Sequence, residues 1–317
     1  VCLCLKNKGS AVRFCLWPPM NLLKNIFMNT LHFVSKIFNF SVLRFMNGKL
    51  NDFIFIKNKF LILDSTDSPA VRWNEISTEL KREFLMDGKV DFADKMFETT
   101  NSVSYIYDKK LINKLIRKAK QNKYLYYGET DKFVYEFLNY YNIESKKIAI
   151  IGSTVPWYEA IVLSRGGIPY TIEYNKISSN DKRLNLFSFD EWSNINEKFD
   201  FIFSISSFEH DGLGRYGDPI NPNGDLQAMR NIYKNLLSDS GVLLLSIPIG
   251  KDQLAFNAHR IYGKLRFPLL IKDFNIIKTF GFEKDQFLRF SESGDISIVK
   301  DSRKPFQPIF VLSKSKI

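Results

Sequence analysis

From residue 147 onward the chain is written in short apolar blocks whose period changes from block to block. Ile148-Ala149-Ile150-Ile151 is a continuous apolar run closed by Gly152, the pattern of a strand buried on both faces. Pro156 then opens a helical stretch through Glu159, Ala160 and Leu163 to Arg165, proline suiting a helix start because the N–H it lacks would be unpaired there. Gly166-Gly167 ends that helix. Further strands are predicted over 170–174, weakly over 184–187 and strongly over 199–205; a helix over 225–237, a stop at Gly241 and a strand over 242–247 follow. Strands alternating with helices imply right-handed crossovers and a parallel sheet. The last two apolar stretches, 282–290 and 308–313, show no helical pattern between them and are expected to pair antiparallel at one edge.

The earlier part of the chain is less regular. Leu22, Leu23, Ile26, Phe27, Leu31, Val34, Ile37 and Phe38 recur at helical spacing over 21–40, with Lys24 and Lys36 off the stripe. Such a helix can lie on an anionic membrane surface or pack on its own domain, and the scarcity of charge favours packing. Residues 53–64 read as two short strands around Lys57-Asn58-Lys59, and 75–85 and 109–122 as basic helices. The first nineteen residues have little periodicity and begin with Val, so 1–19 read as disordered or as an extension ahead of a start at Met20 or Met28. Pro18, Pro19, Lys24, Lys36 and Arg44 interrupt the apolar segment over 14–45; no transmembrane helix is expected, since one needs an unbroken run of about 18 residues or more. The expected organisation is therefore a leader over 1–19, a small basic α+β region over 20–124 and a Rossmann-like domain over 125–317.

Charge and cysteine content narrow the classes. The net charge of +11 is uneven: residues 1–147 hold 24 Lys and Arg against 15 Asp and Glu, and 148–317 hold 21 against 19. The regular domain is thus nearly neutral, which gives no counterion-release drive for a phosphate backbone, and no nucleic-acid partner is expected. Cys2, Cys4 and Cys15 are the whole cysteine complement, so the body of the chain has neither a disulfide framework nor a cysteine metal site. A cytoplasmic protein without a metal is expected, peripheral to a membrane only through the helix over 21–40.

In an open α/β sheet the ligand sits at the carboxyl ends of the strands where the strand order reverses, so the loop after the first strand is the place to test. It reads Gly152-Ser153-Thr154-Val155-Pro156-Trp157-Tyr158-Glu159, one glycine where a dinucleotide loop needs three, and NAD is disfavoured. Glu159 in the first helical turn would repel a phosphate but suits a cationic sulfonium such as that of S-adenosylmethionine. Glu173, ending the second strand beside Tyr174 and Asn175, can accept both hydroxyls of an adenosine ribose. Asp190 can take the adenine amino group, or simply begin a solvated helix. Ser206 and Ser207, after the apolar strand, complete the candidate cofactor set with Gly152, Ser153 and Trp157.

The run Phe199-Asp200-Phe201-Ile202-Phe203-Ser204-Ile205-Ser206-Ser207-Phe208-Glu209-His210 resembles the fourth-strand segment of small-molecule methyltransferases, in which an apolar strand meets small polar residues and then an acid with a histidine. Asp211-Gly212-Leu213-Gly214-Arg215-Tyr216-Gly217-Asp218-Pro219 and Asn221-Pro222-Asn223-Gly224-Asp225 are too rich in Gly, Asp and Pro for a helix or strand interior, and read as an ordered loop at the cleft. Past the fifth strand comes Asn257-Ala258-His259-Arg260-Ile261-Tyr262-Gly263. Methyl transfer to a hydroxyl needs the acceptor aligned and its proton removed. His210 or His259 is the candidate base, with Asp211 or Glu209 orienting it. Arg215, Tyr216, Asp218, Asp225, Asn257, Arg260 and Tyr262 are the candidate acceptor contacts. The bland alternative is that Arg215, Asp218 and Asp225 pin the loop while both histidines cap backbone groups.

Gly152-Ser153 with Pro156-Trp157-Tyr158-Glu159, the run from Glu209 to Pro219, and Asn257 to Gly263 together resemble the family called domain of unknown function 268, over residues 127–270. The resemblance implies a class I methyltransferase-like fold without an established reaction. It also points to surface-polysaccharide gene sets in bacterial relatives, and so to a sugar acceptor. A methyltransferase acting on a small-molecule or glycan acceptor is the leading expectation. The rivals are a sugar hydrolase or isomerase on the same fold, using Glu209, His210, Asp211, Asp218 and His259 with a metal, and a non-catalytic module of a polysaccharide assembly complex.

Overall fold

The computed structural model describes residues 68–95, 99–100, 105–193, 197–283, 286–293 and 306–314. The helix expected over 21–40, with its membrane contact, the hairpin over 53–64 and the leader over 1–19 lie outside the described residues. Upstream of the main sheet come helix α1 (Thr78–Phe84), strand β1 (Asp91–Asp94), strand β2 (Tyr105–Tyr107), and helices α2 (Lys109–Lys120) and α3 (Glu129–Tyr140). Then follow β3 (Lys147–Ile151), α4 (Trp157–Ser164), β4 (Ile168–Glu173), β5 (Ile177–Ser179), β6 (Asn185–Ser188) and β7 (Phe199–Ile205). The remainder comprises α5 (Gly224–Asn231), β8 (Leu237–Ser246), β9 (Gln253–Phe256), β10 (His259–Ile261), α6 (Arg266–Leu270), β11 (Asn275–Phe280), α7 (Gln286–Ser293) and β12 (Ile309–Ser313).

Seven strands form the central sheet in the order β11-β12-β8-β7-β3-β4-β6. β12 runs antiparallel to both its neighbours, β8 and β11, while β8-β7-β3-β4-β6 are parallel throughout. The chain moves outward from β3 through β4 to β6, then returns to the other side of β3 as β7. The order therefore reverses between β3 and β7, the position at which an open α/β sheet leaves a crevice beyond its strand ends. This is the expected Rossmann-like sheet of the class I methyltransferase type, with an antiparallel strand at its far side.

Period-two alternation explains the two cores. Ile148, Ile150, Phe201, Phe203, Val242, Leu244, Ile309 and Val311 face one side, where Leu111, Leu115, Phe133, Phe137 and Ile161 of α2, α3 and α4 cover them. Ala149, Ile202, Leu243, Leu245, Phe310 and Leu312 face the other, under Leu226, Met229, Phe267 and Phe290 of α5, α6 and α7. A third small cluster joins Phe84 of α1 to Leu254 and Phe256 of β9, and β9 pairs parallel with β1 and antiparallel with β10. β2 pairs with β5, which ties the segment before α2 to the ends of the central strands.

One expectation is corrected at the edge. The antiparallel pair exists, but its first strand is β11 rather than 282–290, and helix α7 intervenes before β12. Phe287 and Phe290 both meet the core at the three-residue spacing of a helix face, and the Gln286 side-chain carbonyl accepts the Glu283 N–H at 2.7 Å to begin it. Helix α3 and the β9–β10 pair were not anticipated. No helix among the described residues is long and apolar enough to cross a membrane.

Candidate functional site

Gly152 leaves β3 with φ +72°, and a Cβ at that position would collide with the Ser207 hydroxyl oxygen. The ends of β3 and β7 thus approach so closely that only glycine fits, and the left-handed turn is one glycine adopts without steric cost. Ser153 is buried, its hydroxyl donating to the Val155 carbonyl, and the Tyr107 phenol donates to the Ser153 carbonyl at 2.8 Å. The Tyr126 phenol and Thr154 hydroxyl are 3.2 Å apart. Pro156 occupies the N-cap of α4 rather than its first turn. Trp157 corrects an expectation: its side chain is fully buried in the α2–α3 face of the core, so the indole does not face the crevice.

Glu173 ends β4 as a buried carboxylate, its Oε1 accepting the backbone N–H groups of Tyr174 at 3.0 Å and Asn175 at 3.3 Å. Burial pushes its pKa up to about 7 against those donors. Its Oε2 takes no hydrogen bond among the described residues, which leaves one oxygen for a ligand. Next to it Tyr174 is exposed and stacks on Phe189, centroids 5.3 Å apart and planes 3° from parallel. Asn175 is buried, and Asp190 is exposed at the start of the short helix Phe189–Ser193. Glu159 is fully buried, accepts the Thr171 hydroxyl at 2.8 Å, and is pushed by burial to about 7.

At the end of β7, Ser206 adopts φ +54°, uncommon for a residue with a Cβ, and its N–H donates to the Ser246 carbonyl of β8. Its hydroxyl donates to Glu209 Oε1, and it accepts from Gln307 Nε2 at 3.0 Å. Glu209, in the helical turn Phe208–His210, is buried, and burial pushes it to about 7. His210 is half-buried with Nδ1 at 2.5 Å from the Ala258 carbonyl. Burial, then the nearby Arg215, hold its pKa well below the usual imidazole range. A neutral ring bonded to a carbonyl must carry its hydrogen on Nδ1, which leaves the lone pair on Nε2, 3.8 Å from Glu209 Oε1. Arg215 donates to the same carbonyl at 3.2 Å and lies over the Tyr216 ring. The rings of His210 and His259 are 6.4 Å apart, so the two histidines do meet. Burial, then Asp218 and Asp225, raise Asp211 well above the usual carboxylate range.

The Gly-rich loop is held from behind, and this reassigns several expected acceptor contacts. Asp225 is fully buried between Arg266, which donates from Nε at 2.9 Å and from Nη2 at 2.5 Å, and Tyr262, whose phenol donates at 2.9 Å. Burial opposes its ionisation, yet Arg260 and Arg266 hold its pKa below the usual value. Arg260 spends Nη1 on the Asp211 carbonyl at 2.6 Å and Nη2 on the Pro222 carbonyl at 3.3 Å. Asp218 accepts the N–H groups of Gly214 and Tyr216. Asp218 and Asp225 thus fix loop shape and His210 and Arg215 bond the Ala258 carbonyl, as the bland alternative has it, and Arg260 and Tyr262 are engaged in the same way. Asn257 is fully buried between β9 and β10. Arg215, Tyr216, His210 and Asp211 are all half-buried.

Sequence reasoning missed the contribution of segments far from the loop. Tyr105, Tyr126 and Tyr127 stand beside Glu173, Glu209, Arg215 and Tyr216 closely enough to shift one another's protonation. Burial keeps all four phenols neutral, Tyr216 at about 12. Asp131 fixes this segment: its Oδ2 accepts the N–H groups of Leu125 and Tyr126, each at 2.8 Å, and its Oδ1 accepts the Tyr158 phenol. The one available signal was the run Tyr124-Leu125-Tyr126-Tyr127-Gly128. Among the described residues no group of three or more His, Cys, Asp or Glu is arranged to hold a metal.

A protein-family model described as "Caenorhabditis protein of unknown function, DUF268" matches residues 145–314. No curated protein matches the chain. Among solved structures, the 1,6-didemethyltoxoflavin-N1-methyltransferase of Burkholderia thailandensis, solved with bound 1,6-didemethyltoxoflavin and S-adenosylhomocysteine, is 11% identical with a TM-score of 0.40, over 64% of this chain and 79% of that one. A TehB-like SAM-dependent methyltransferase from Corynebacterium glutamicum is 15% identical with a TM-score of 0.34, over 65% and 97%. An S-adenosylmethionine-dependent methyltransferase from Mesorhizobium loti is 10% identical with a TM-score of 0.37, over 57% and 97%.

Proposed function

The chain belongs to the family described as Caenorhabditis protein of unknown function, DUF268, and from this starting point we propose that it is an S-adenosylmethionine-dependent methyltransferase acting on a small-molecule or glycan acceptor. The observation that carries the reading is Glu173, a buried acid at the strand end beside the crevice, with one oxygen fixed by two backbone N–H groups and the other open to a diol. Gly152 supports it, because the absence of a Cβ lets the ends of β3 and β7 close together at the reversal of strand order, where such a ligand would sit. The donor set also favours this cofactor over a dinucleotide: a single glycine follows β3, where a pyrophosphate loop needs three.

When bound, S-adenosylmethionine supplies an electrophilic methyl group on a cationic sulfur. Glu173 would hold the ribose, with Tyr174 and Phe189 offering ring faces beside it, and Gly152, Ser153, Ser206 and Ser207 would line the rest of the cofactor site. Arg215, Tyr216, Tyr126 and Tyr127 would orient the acceptor. Their neutral hydroxyls, ring faces and single guanidinium suit a polyhydroxylated ring, and a role in surface-polysaccharide synthesis is part of this proposal.

Calorimetry with S-adenosylhomocysteine tests the reading. The wild-type protein is expected to bind it, and Glu173→Ala to weaken binding by about tenfold or more, the loss of one charge-assisted hydrogen-bonding group. Absence of binding to the wild-type protein sinks the proposal.

A further inference from the structure

Glu209 is only 1% exposed, and while its Oε1 accepts the Ser206 hydroxyl, its Oε2 is buried without a hydrogen-bond partner among the described residues. Leaving a carboxylate oxygen buried and unsatisfied costs about 1–3 kcal/mol or more. In a native fold such an atom calls for an explanation, and a catalytic role that brings it a donor is one.

The groups behind Glu209 are arranged with more care than packing requires. Ser206 has one hydroxyl proton and gives it to Glu209, so toward Gln307 it acts as acceptor, Gln307 Nε2 donating to it, and the Tyr127 phenol stands within reach of the same hydroxyl. Both of these groups are set by the first turn of α3. The Thr130 hydroxyl donates to the Gln307 carbonyl at 3.0 Å, and Asp131 accepts the N–H groups of 125–127. Three distant segments thus converge to orient one carboxyl group.

We propose that Glu209, through Oε2, takes the proton from the acceptor hydroxyl, with Tyr127, Ser206 and Gln307 as positioning residues. This rests on the methyl-transfer reading. The acceptor O–H bond breaks, its proton bonds to Oε2, and the electron pair left on oxygen forms the bond to the methyl carbon as sulfur keeps the pair of the breaking S–C bond. Burial pushes Glu209 to about 7, with Ser206, its own backbone N–H and Arg215 working against it, so at neutral pH a large fraction is ionised and still basic enough to accept a proton. The titratable groups facing it are Tyr127, Tyr216, Tyr262, His210, Asp211 and Arg215. His210 is the poorer base, since burial and Arg215 stabilise its neutral form.

The test uses full-length protein labelled with glutamate carrying 13C at its side-chain carboxyl; the resonance lost in Glu209→Gln identifies the group. It is titrated by NMR from about pH 5 to 9, and the same samples are examined for S-adenosylhomocysteine binding by calorimetry. The midpoint should fall near 7 in the wild-type protein, and Tyr127→Phe should raise it by roughly 0.5, because the Ser206 donor loses its polarising partner. Glu209→Gln should keep its affinity for S-adenosylhomocysteine within about twofold. A midpoint in the ordinary carboxylate range, a midpoint unmoved by Tyr127→Phe, or loss of binding in Glu209→Gln each overturns the assignment while the methyl-transfer reading stands. A wild-type protein that does not bind S-adenosylhomocysteine overturns both.

Discussion

Gly152 shows how much a single position decides. Its φ of +72° and the proximity of Ser207 mean that alanine would meet two penalties at once, a strained backbone and a collision at the strand end. Gly152→Ala is expected to cost at least about 1–2 kcal/mol in stability from the left-handed backbone alone. Because relief requires the ends of β3 and β7 to separate, S-adenosylhomocysteine binding should weaken by more than tenfold. Chemical denaturation and calorimetry on one preparation read both effects, and unchanged affinity would show that the crevice between the strand ends is not the cofactor site. Glu173 was legible in the sequence for a related reason: an acid at the end of a recognisable strand has only one place to be. Trp157 was not, because which way a side chain in a first helical turn points is set by the packing of α2 and α3, which the local sequence does not encode.

At the level of elements, the apolar blocks that became β3 and β7 were readable because buried parallel strands are nearly continuous hydrophobic runs. Helix α3 was not, since its Phe133, Val134, Phe137 and Leu138 sit among aromatic and β-branched residues that suit either period. The same helix brings Tyr127 and Gln307 to Ser206, so the part of the site that escaped sequence reading is the part assembled by α3. The Gly-rich loop, by contrast, was recognised as ordered, while its anchor was mistaken for an acceptor contact: Arg266 lies beyond the motif and fixes Asp225 from another helix. Removing one partner of a buried ion pair costs about 3–5 kcal/mol. Arg266→Met is therefore expected to destabilise the protein by that order and to render 211–224 sensitive to limited proteolysis. A loop that stays protected in the variant would mean that Arg260 and Asp218 suffice to hold it.

For the molecule as a whole, the buried acids set the response to pH. Asp131 at about 6 and Glu159, Glu173 and Glu209 at about 7 all lie above their ordinary values because burial disfavours the charged form. Each binds its proton more tightly folded than unfolded. Their contribution to stability is therefore complete below the unfolded values near 4 and is lost as the pH rises through 6 to 7. Asp225, held low, acts in the opposite sense only under acid conditions, and His210, also held low, opposes the four acids up to its ordinary value near 6.5 without outweighing them. Thermal melts should show Tm falling between about pH 5 and 8, and a rise over that interval would contradict the burial of these groups.

The reversed strand β12 has a consequence for the birth of the protein. It sits between β8 and β11 yet comes after both in the chain, and Gln307 lies just ahead of it. During synthesis β8 must therefore keep an unpaired apolar edge, and Ser206 must lack its amide donor, until residues 306–313 have followed it. A growing chain stalled before residue 306 would be sticky, and if Glu209 acts as proposed it would also lack the amide that positions its base, so one strand would complete both the sheet and the site.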